Sequence, residues 1–133
     1  MQTEMLIAGS FASGENSPET VVNPRTGAAI VEVAEASEAQ VDAAVRAATD
    51  AFPVWSRTTP AERSATLLRI ADRIEAEADG LSALESLNCG KPINAMKGDE
   101  IPAIADCWRF FAAAVRCQHG LVAGEYLPGH TSM

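Results

Sequence analysis

The chain has 133 residues, a hydrophobic fraction of 47% and a formal net charge of -8. This composition predicts one domain's worth of folded, globular polypeptide and excludes a disordered chain. The acidic balance argues against a nucleic-acid partner, because phosphate binding requires clustered Lys and Arg side chains. No apolar run approaches the length of a membrane span, so we expect no membrane partner. Three cysteines without paired spacing are typical of reduced thiols, which indicates a cytoplasmic protein.

The first 36 residues predict short strands joined by turns. The apolar segment MLIAGSFA is followed by SGENSPET, a polar segment rich in turn-forming residues. Two β-branched runs then flank the sequence Asn-Pro-Arg-Thr-Gly. Pro24 disfavours a helical conformation at Asn23, and Gly27 can take the positive φ of a tight turn. We therefore expect strands within residues 5–34.

The first helical pattern covers residues 38–52. Ser37 and Gln40 form an S-x-x-Q capping box, in which each side chain satisfies a backbone amide of the other residue. Apolar residues then recur at helical spacing: Val41, Ala44, Val45, Ala48 and Phe52. Pro53 lacks a backbone amide, and we expect the helix to end near it.

A second helix is predicted over residues 60–78. Thr59 supplies an N-cap hydroxyl, Pro60 the first helical position and Glu62 the reciprocal carboxylate of a capping box. One apolar face follows, opposite a charged face: Leu67, Ile70, Ala71, Ile74 and Ala78.

Two more helices complete the helical part, which makes about four amphipathic helices. Leucines at 81, 84 and 87 predict a short helix that ends at Gly90, since glycine is typical of helix C-termini. Pro102 belongs in the first turn of a last helix or produces a kink in it. The apolar positions of that helix are spaced by three and four residues: Ile101, Ile104, Trp108, Phe111 and Val115. The final segment GEYLPGHTSM predicts the opening of a strand without a partner.

Cys89 is the obvious candidate for a nucleophile. Its predicted place is a helix C-terminus, whose partial negative charge disfavours a thiolate. The two histidines, at 119 and 130, are distant in sequence. We therefore interpret Cys89 as a structural or incidental thiol, and we predict that Cys107 and Cys117 are small core residues.

The Gly-Lys pair at 90–91 invites comparison with a phosphate-binding loop. Glu85 and Pro92 occupy the places where that loop requires Gly and Ser or Thr, so the match fails. The chain contains no G-x-G-x-x-G turn for a dinucleotide and no C-x-x-C pair for zinc. We find no complete catalytic constellation and no cofactor-binding or metal-binding residues in this chain.

Asp99 and Glu100, at the start of the last helix, are the remaining candidates. One interpretation is that they stabilise the helix N-terminus through its partial positive charge. The other is that they form an acidic pair at the mouth of an apolar channel, where they would hold a cationic substrate. The residues alone leave both interpretations open.

The segment from Val21 to Pro92 closely resembles the N-terminal part of the NAD-dependent aldehyde dehydrogenases, which implies an α/β fold. The matching features are Asn23-Pro24 with Gly27, VDAAVRAATDAF, Trp55, TTPAERSATLLRIADRI, and Leu84-Glu85 before Gly90-Lys91-Pro92. Within that family, ESLNCGKP, DEIPAIADCWRFFAAAVRC and AGEYLPGHTSM look most like the γ-aminobutyraldehyde (4-aminobutanal) dehydrogenases of putrescine degradation. Betaine-aldehyde and other aldehyde dehydrogenases are the near alternatives. A non-enzymatic helical interaction module is a third possibility.

The resemblance implies that the chain is a fragment of a longer enzyme that oxidises 4-aminobutanal with NAD. The family's catalytic Cys and Glu and its cofactor-binding residues are expected after Met133, so this chain alone should be inactive and bind no NAD. Residues 1–123 are expected to be the N-terminal part of the cofactor-binding domain, with helices within 38–118. Residues 124–133 are expected to begin the oligomerisation arm of a homotetramer.

The resemblance also implies two sites. Glu100, with Asp99 beside it, matches an acid that lines the substrate entrance of aminoaldehyde dehydrogenases and attracts the amino group. Relatives also bind a structural monovalent cation, and the matching positions here are Val21, Val22 and Asn88. An asparagine offers a neutral oxygen where the relatives have an acid, which argues against the cation site.

Overall fold

The computed structural model describes residues 1–118, 124–127 and 129–132. The chain divides into two compact units, the first made of residues 1–57 and 88–90 and the second of residues 58–87 and 91–133. Short strands precede the helices and helix predominates, as predicted. Within the described ranges, no helix has both the length and the apolar character that a membrane crossing requires.

The first unit begins with four short strands that form two antiparallel hairpins: β1 (Met5–Ile7) with β2 (Ser10–Ala12), and β3 (Pro18–Val22) with β4 (Ala29–Ala34). Ala8 and Gly9 connect β1 to β2, and both take positive φ, as tight hairpin turns often require. Gly27 has a φ of 72° in the connection from β3 to β4, which confirms the predicted turn. All four strands lie within the predicted range 5–34.

The helix α1 (Glu38–Trp55) completes the first unit. Its capping box is confirmed: the Ser37 amide donates to Gln40 Oε1 at 3.0 Å, and the Gln40 amide donates to Ser37 Oγ at 3.3 Å. The helix ends at Trp55, two residues past Pro53, which agrees with the predicted end near that proline. A proline this close to the C-terminus removes one amide hydrogen bond, and the Ser56 amide still closes the last turn on the Phe52 carbonyl at 2.8 Å.

Among its described residues, the second unit contains four α-helical segments: α2 (Pro60–Ala76), most of α3 (Ala78–Cys89), α4 (Ile93–Ala95) and α5 (Ile101–Cys117). Its most extensive helix packing is between α2 and α5. Ala71 of α2 and Ala105 and Ala112 of α5 are fully buried, because small side chains allow two helices to approach closely. Part of the apolar face of α2, including Ala71, therefore packs on α5 within this chain.

The start of α2 carries the second predicted capping box. The Thr59 amide donates to Glu62 Oε2 at 2.7 Å, and the Glu62 amide donates to Thr59 Oγ1 at 3.3 Å. The Thr59 hydroxyl also donates to Glu62 Oε2, at 2.9 Å. The hydrogen bonds that Glu62 accepts lower its pKa, because they stabilise its carboxylate. The bond from the Thr59 backbone amide has the largest effect, and the bond from the Thr59 hydroxyl follows.

A π-helical turn, Met96–Glu100, joins α4 to α5. The Ile101 amide donates to the Met96 carbonyl, five residues earlier. Pro102 stands in the first turn of α5, as predicted, and has no amide with which to continue an ordinary helical ladder. The helical path nevertheless begins earlier than predicted, at α4. The two candidate acids therefore lie on a turn that is wider than an α-helix.

Residues 124–132 contain a third antiparallel pair, β5 (Gly124–Leu127) with β6 (His130–Ser132). The expectation of a strand without a partner is therefore wrong. Gly129 has a φ of 76°, and Leu127 lies opposite His130 in the register. A glycine at positive φ lets the chain reverse over a very short connection, so the partner strand comes from the same segment.

Candidate functional site

The second unit contains a cavity of about 360 Å³ among its helices. Its walls are apolar and come from α2, α3 and the segment from the π-helical turn into α5: Ile74, Leu81, Leu84, Met96, Ile101 and Ile104. Three charged residues also line it: Glu85, Lys91 and Glu100. Small-molecule sites typically have a volume in this range and combine apolar walls with a few charged groups. We therefore take this cavity as the candidate site.

The three charged residues of the cavity lie close together. Lys91 Nζ lies 3.2 Å from Glu100 Oε1 and 3.9 Å from Glu85 Oε1. The side chain of Lys91 is 34% exposed and that of Glu100 is 46% exposed, so water screens the ion pair. Such a pair contributes little to folding stability. Its main effect is on the electrostatic potential in the cavity, because the charge of Lys91 partly cancels that of Glu100.

The structure separates the two candidate acids. Glu100 is half-buried and lines the cavity, whereas Asp99 is exposed and is not among the residues that line it. Consecutive residues of a helical turn point in different directions, so one of two neighbours can face a cavity while the other does not. Glu100 is therefore the acid that a ligand in this cavity would contact.

All three cysteines lie at exposed positions. Cys89 is the last residue of α3, as predicted, and Gly90 follows it with a φ of 75°. Cys107 and Cys117 are exposed, so the prediction that they are core residues is wrong. Cys107 follows the buried Ala105 by two residues, or about 200° around the helix, and so lies away from the face that packs on α2.

The residues of the implied cation site all belong to the first unit. Val21 and Val22 flank a β-bulge in β3, where the regular ladder is interrupted. Asn88 is exposed near the end of α3. In the part of the chain that the structure describes, no group of three or more His, Cys, Asp or Glu residues could hold a metal ion. The cation site stays a prediction that the neutral oxygen of Asn88 argues against.

Arg109 forms ion pairs that the sequence did not indicate. Its two terminal nitrogens donate to the two carboxylate oxygens of Glu75, each at 2.7 Å, and Nη2 also donates to Asp72 Oδ1 at 2.9 Å. These hydrogen bonds lower the pKa of Glu75 and raise the pKa of Arg109. The signal in the sequence was an arginine between two aromatic residues, Trp108 and Phe110, which suggests that the arginine has acidic partners. Which acids those are depends on how α5 packs on α2.

Comparison with known proteins decides the family. The sequence profile of the aldehyde dehydrogenase family matches residues 11–133, nearly the whole chain. The chain belongs to the aldehyde dehydrogenase family. This confirms the resemblance at the level of the family, a family of oxidoreductases.

Individual aldehyde dehydrogenases show how much of a relative this chain represents. Fluoroacetaldehyde dehydrogenase from Streptantibioticus cattleyicolor is 42% identical over 100 residues, which are 75% of this chain and 20% of that protein. PnpE from Pseudomonas sp. WBC-3 has a TM-score of 0.81 at 43% identity, over 86% of this chain and 24% of its own. PnpE has also been solved in complex with nicotinamide adenine dinucleotide.

A third relative extends the comparison to lower identity. The NAD-dependent benzaldehyde dehydrogenase from Corynebacterium glutamicum has a TM-score of 0.85 at 30% identity, over 96% of this chain and 28% of its own. The chain thus spans 20% of the length of the curated relative and 28% or less of these solved ones. The high TM-scores confirm the aldehyde dehydrogenase fold for this segment.

Proposed function

We propose that this chain is the N-terminal portion of an NAD-dependent aminoaldehyde dehydrogenase that oxidises 4-aminobutanal to 4-aminobutanoate in putrescine degradation. Membership of the aldehyde dehydrogenase family supports the reaction. The observation that carries the substrate class is the position of Glu100, a carboxylate beside the apolar walls of the cavity. Such a site suits a substrate with a cationic amine on a short carbon chain.

In this proposal the chain supplies substrate recognition, and the rest of the enzyme supplies the chemistry. Residues 1–123 belong to the cofactor-binding domain, and residues 124–133 begin the oligomerisation arm of a cytoplasmic homotetramer. The catalytic Cys and Glu and the residues that hold NAD lie outside this chain, which alone is inactive. NAD, when bound to the enzyme, accepts the hydride of the aldehyde.

The role of Glu100 is to attract and orient the amino end of the substrate. Its partial exposure limits the strength of an ion pair with the substrate to about 1 kcal/mol, or about fivefold in affinity. The apolar walls would contact the carbon chain, which a neutral aldehyde of the same length also has. The preference for the aminoaldehyde should therefore be modest and should depend on Glu100.

A second candidate is an aldehyde dehydrogenase for small uncharged aldehydes. The 42% identity to fluoroacetaldehyde dehydrogenase favours it. Betaine aldehyde is permanently cationic, so Glu100 would attract it as it would attract 4-aminobutanal. The helical interaction module is distinguished from all of these by the absence of aldehyde oxidation.

The test is NADH formation by the complete protein, meaning the product of the whole reading frame that contains this sequence, beside the 133-residue chain. The substrates are 4-aminobutanal, butanal and fluoroacetaldehyde. We expect the complete protein to show its highest kcat/KM with 4-aminobutanal and the short chain to show no activity. A preference for either uncharged aldehyde, or turnover by the short chain, would contradict the proposal.

Two matched variants of the complete protein test the role of Glu100. Glu100→Gln should lower kcat/KM for 4-aminobutanal by up to about fivefold and leave butanal unchanged. Asp99→Asn removes the same charge one residue away, from a side chain that does not line the cavity, and should have a smaller effect. Equal effects of the two variants would mean that the cavity does not hold the amino group.

A further inference from the structure

We propose that Lys91 sets the strength with which the cavity attracts a cationic substrate, by neutralising part of the charge of Glu100. This inference rests on the proposed function, because it assigns a residue that determines specificity to the same cavity. From the sequence, Lys91 was noted only in a Gly-Lys pair that fails to match a phosphate-binding loop and in the Gly90-Lys91-Pro92 match to the family. The structure instead places its ammonium group 3.2 Å from the carboxylate proposed to recognise the substrate.

The geometry makes Lys91 a competitor of the substrate's amino group. Its Nζ contacts Glu100 at 3.2 Å and lies 3.9 Å from Glu85, and all three residues line the cavity. An ammonium group that approaches Glu100 must share this carboxylate with Lys91 and is repelled by the lysine at short range. Two carboxylates and one ammonium leave a single net negative charge at the cavity. Without Lys91 there would be two.

Removing the charge of Lys91 should not alter the contacts that the apolar walls of the cavity make with a ligand. Its walls are leucine, isoleucine and methionine side chains, which contact the carbon chain of a ligand whether or not the ligand is charged. Removing the Lys91 charge should therefore change the affinity for a cationic ligand relative to a neutral ligand of the same length. That ratio isolates the electrostatic contribution from packing.

The chain offers a matched control in Lys97. Its Nζ forms an ion pair with Asp79 Oδ1 at 2.7 Å, and its side chain does not line the cavity. Lys97→Met removes the same charge from the same unit as Lys91→Met, so the two variants have equal net charge. Methionine keeps most of the length of the lysine stem, which limits changes in packing.

The experiment measures the affinity of the complete protein for n-butylammonium and for 1-butanol by NMR titration, at low and high salt. We expect Lys91→Met to raise the ratio of the two affinities in favour of n-butylammonium by about two- to fivefold at low salt, and by less at high salt. Lys97→Met should leave the ratio unchanged. The double variant Lys91→Met/Glu100→Gln should lose most of the gain.

Each outcome bears on the role of Lys91. An unchanged or lower ratio in Lys91→Met, or an equal gain in Lys97→Met, overturns it. The affinity for 1-butanol shows whether the cavity is intact, and Lys91→Gln replaces Lys91→Met if it is not. Failure of the proposed function would appear in the activity assays instead. The complete protein would then form no NADH from any aldehyde, or Glu100→Gln would keep the preference for 4-aminobutanal. The binding ratio measures the effect of Lys91 separately from that activity.

Discussion

Gly14 lies against the backbone of Ala34 so closely that a Cβ at position 14 would overlap the carbonyl oxygen of Ala34. The carbonyl of Glu35 lies equally near. This approach accompanies a backbone hydrogen bond from the Asn16 amide to the Glu35 carbonyl at 3.0 Å. The segment after β2 is thus held along the end of β4, and glycine is the residue that permits it.

Gly14→Ala should destabilise the protein, because neither carbonyl belongs to a flexible side chain that could move aside. We expect a loss of at least about 1–3 kcal/mol in the free energy of unfolding, the range for overpacked sites. The measurement is the apparent thermal midpoint of the complete protein. Gly80→Ala is the control, since its Cβ would meet open space within α3 and alanine favours a helix. A similar loss in both variants would contradict the steric explanation.

The ion pair of Arg109 with Glu75 should make stability depend on acidic pH. The hydrogen bonds from Arg109 hold the pKa of Glu75 in the folded state below its ordinary value of 4.5. A carboxylate with a lowered folded pKa contributes its full stability above the unfolded pKa, and the contribution is lost as the pH falls through the folded value. Glu75→Gln should therefore lower the thermal midpoint at pH 7, and the difference from wild type should shrink below about pH 4.5.

Thermal midpoints of the complete protein between pH 7 and pH 3 check this prediction. Glu32→Gln is the matched control, since Glu32 is exposed on β4. We expect the midpoint of that variant to follow wild type throughout the range. A difference for Glu75→Gln that stays constant, or grows, as the pH falls would show that the ion pair is not its cause.

Ser82 should be replaceable by alanine without loss. It is fully buried in α3, and its hydroxyl has no hydrogen-bond partner in the described part of the chain. A buried hydroxyl without a partner costs about 1–3 kcal/mol, so Ser82→Ala should leave the thermal midpoint unchanged or raise it. Ser82→Val, which is too large for the space, should lower it. A lower midpoint for alanine would reveal a hydrogen bond to the Ser82 hydroxyl.

The isolated 133-residue chain should be molten or prone to aggregation. The apolar face of α1 is exposed, with Val41, Val45 and Phe52 between 52% and 62% accessible, and Phe110 of α5 is 65% accessible. Each large apolar side chain left in water forfeits about 1.5–3 kcal/mol, against a typical total stability of about 5–15 kcal/mol.

Dye binding and near-ultraviolet circular dichroism of the isolated chain test this prediction. We expect strong binding of a hydrophobic dye and a weak near-ultraviolet signal. The complete protein is the control, and it should show the opposite. A sharp, reversible thermal transition in the monomeric isolated chain would contradict the prediction.

Signals that act within a few residues were readable from the sequence. Both capping boxes formed as predicted, because the side chains of Ser37 and Thr59 reach amides three residues away whatever the rest of the chain does. Gly27 and Gly90 take positive φ for a similarly local reason. The pairing of β5 with β6, which was predicted wrongly, also depends on a local feature, the positive φ of Gly129.

The candidate site was predictable only in part. The acid at position 100 came from the family resemblance, but its separation from Asp99 depends on the direction in which the π-helical turn presents each side chain. The lysine that competes for it lies nine residues earlier, before α4. Nothing in the residue spacing indicated that Lys91 and Glu100 would meet.

The long helices, their caps, the turn glycines and the aldehyde dehydrogenase family could be read from the residues alone, because these depend on local bonding or on many matched positions. The folded structure was needed to show that Lys91 reaches Glu100, that Arg109 reaches Glu75 and that the cysteines of α5 are exposed. The contact of Arg109 with Glu75 depends on the close approach of α2 and α5 across buried alanines such as Ala71. Helix packing of that kind is set by the summed shape of many side chains, and no local pattern encodes it.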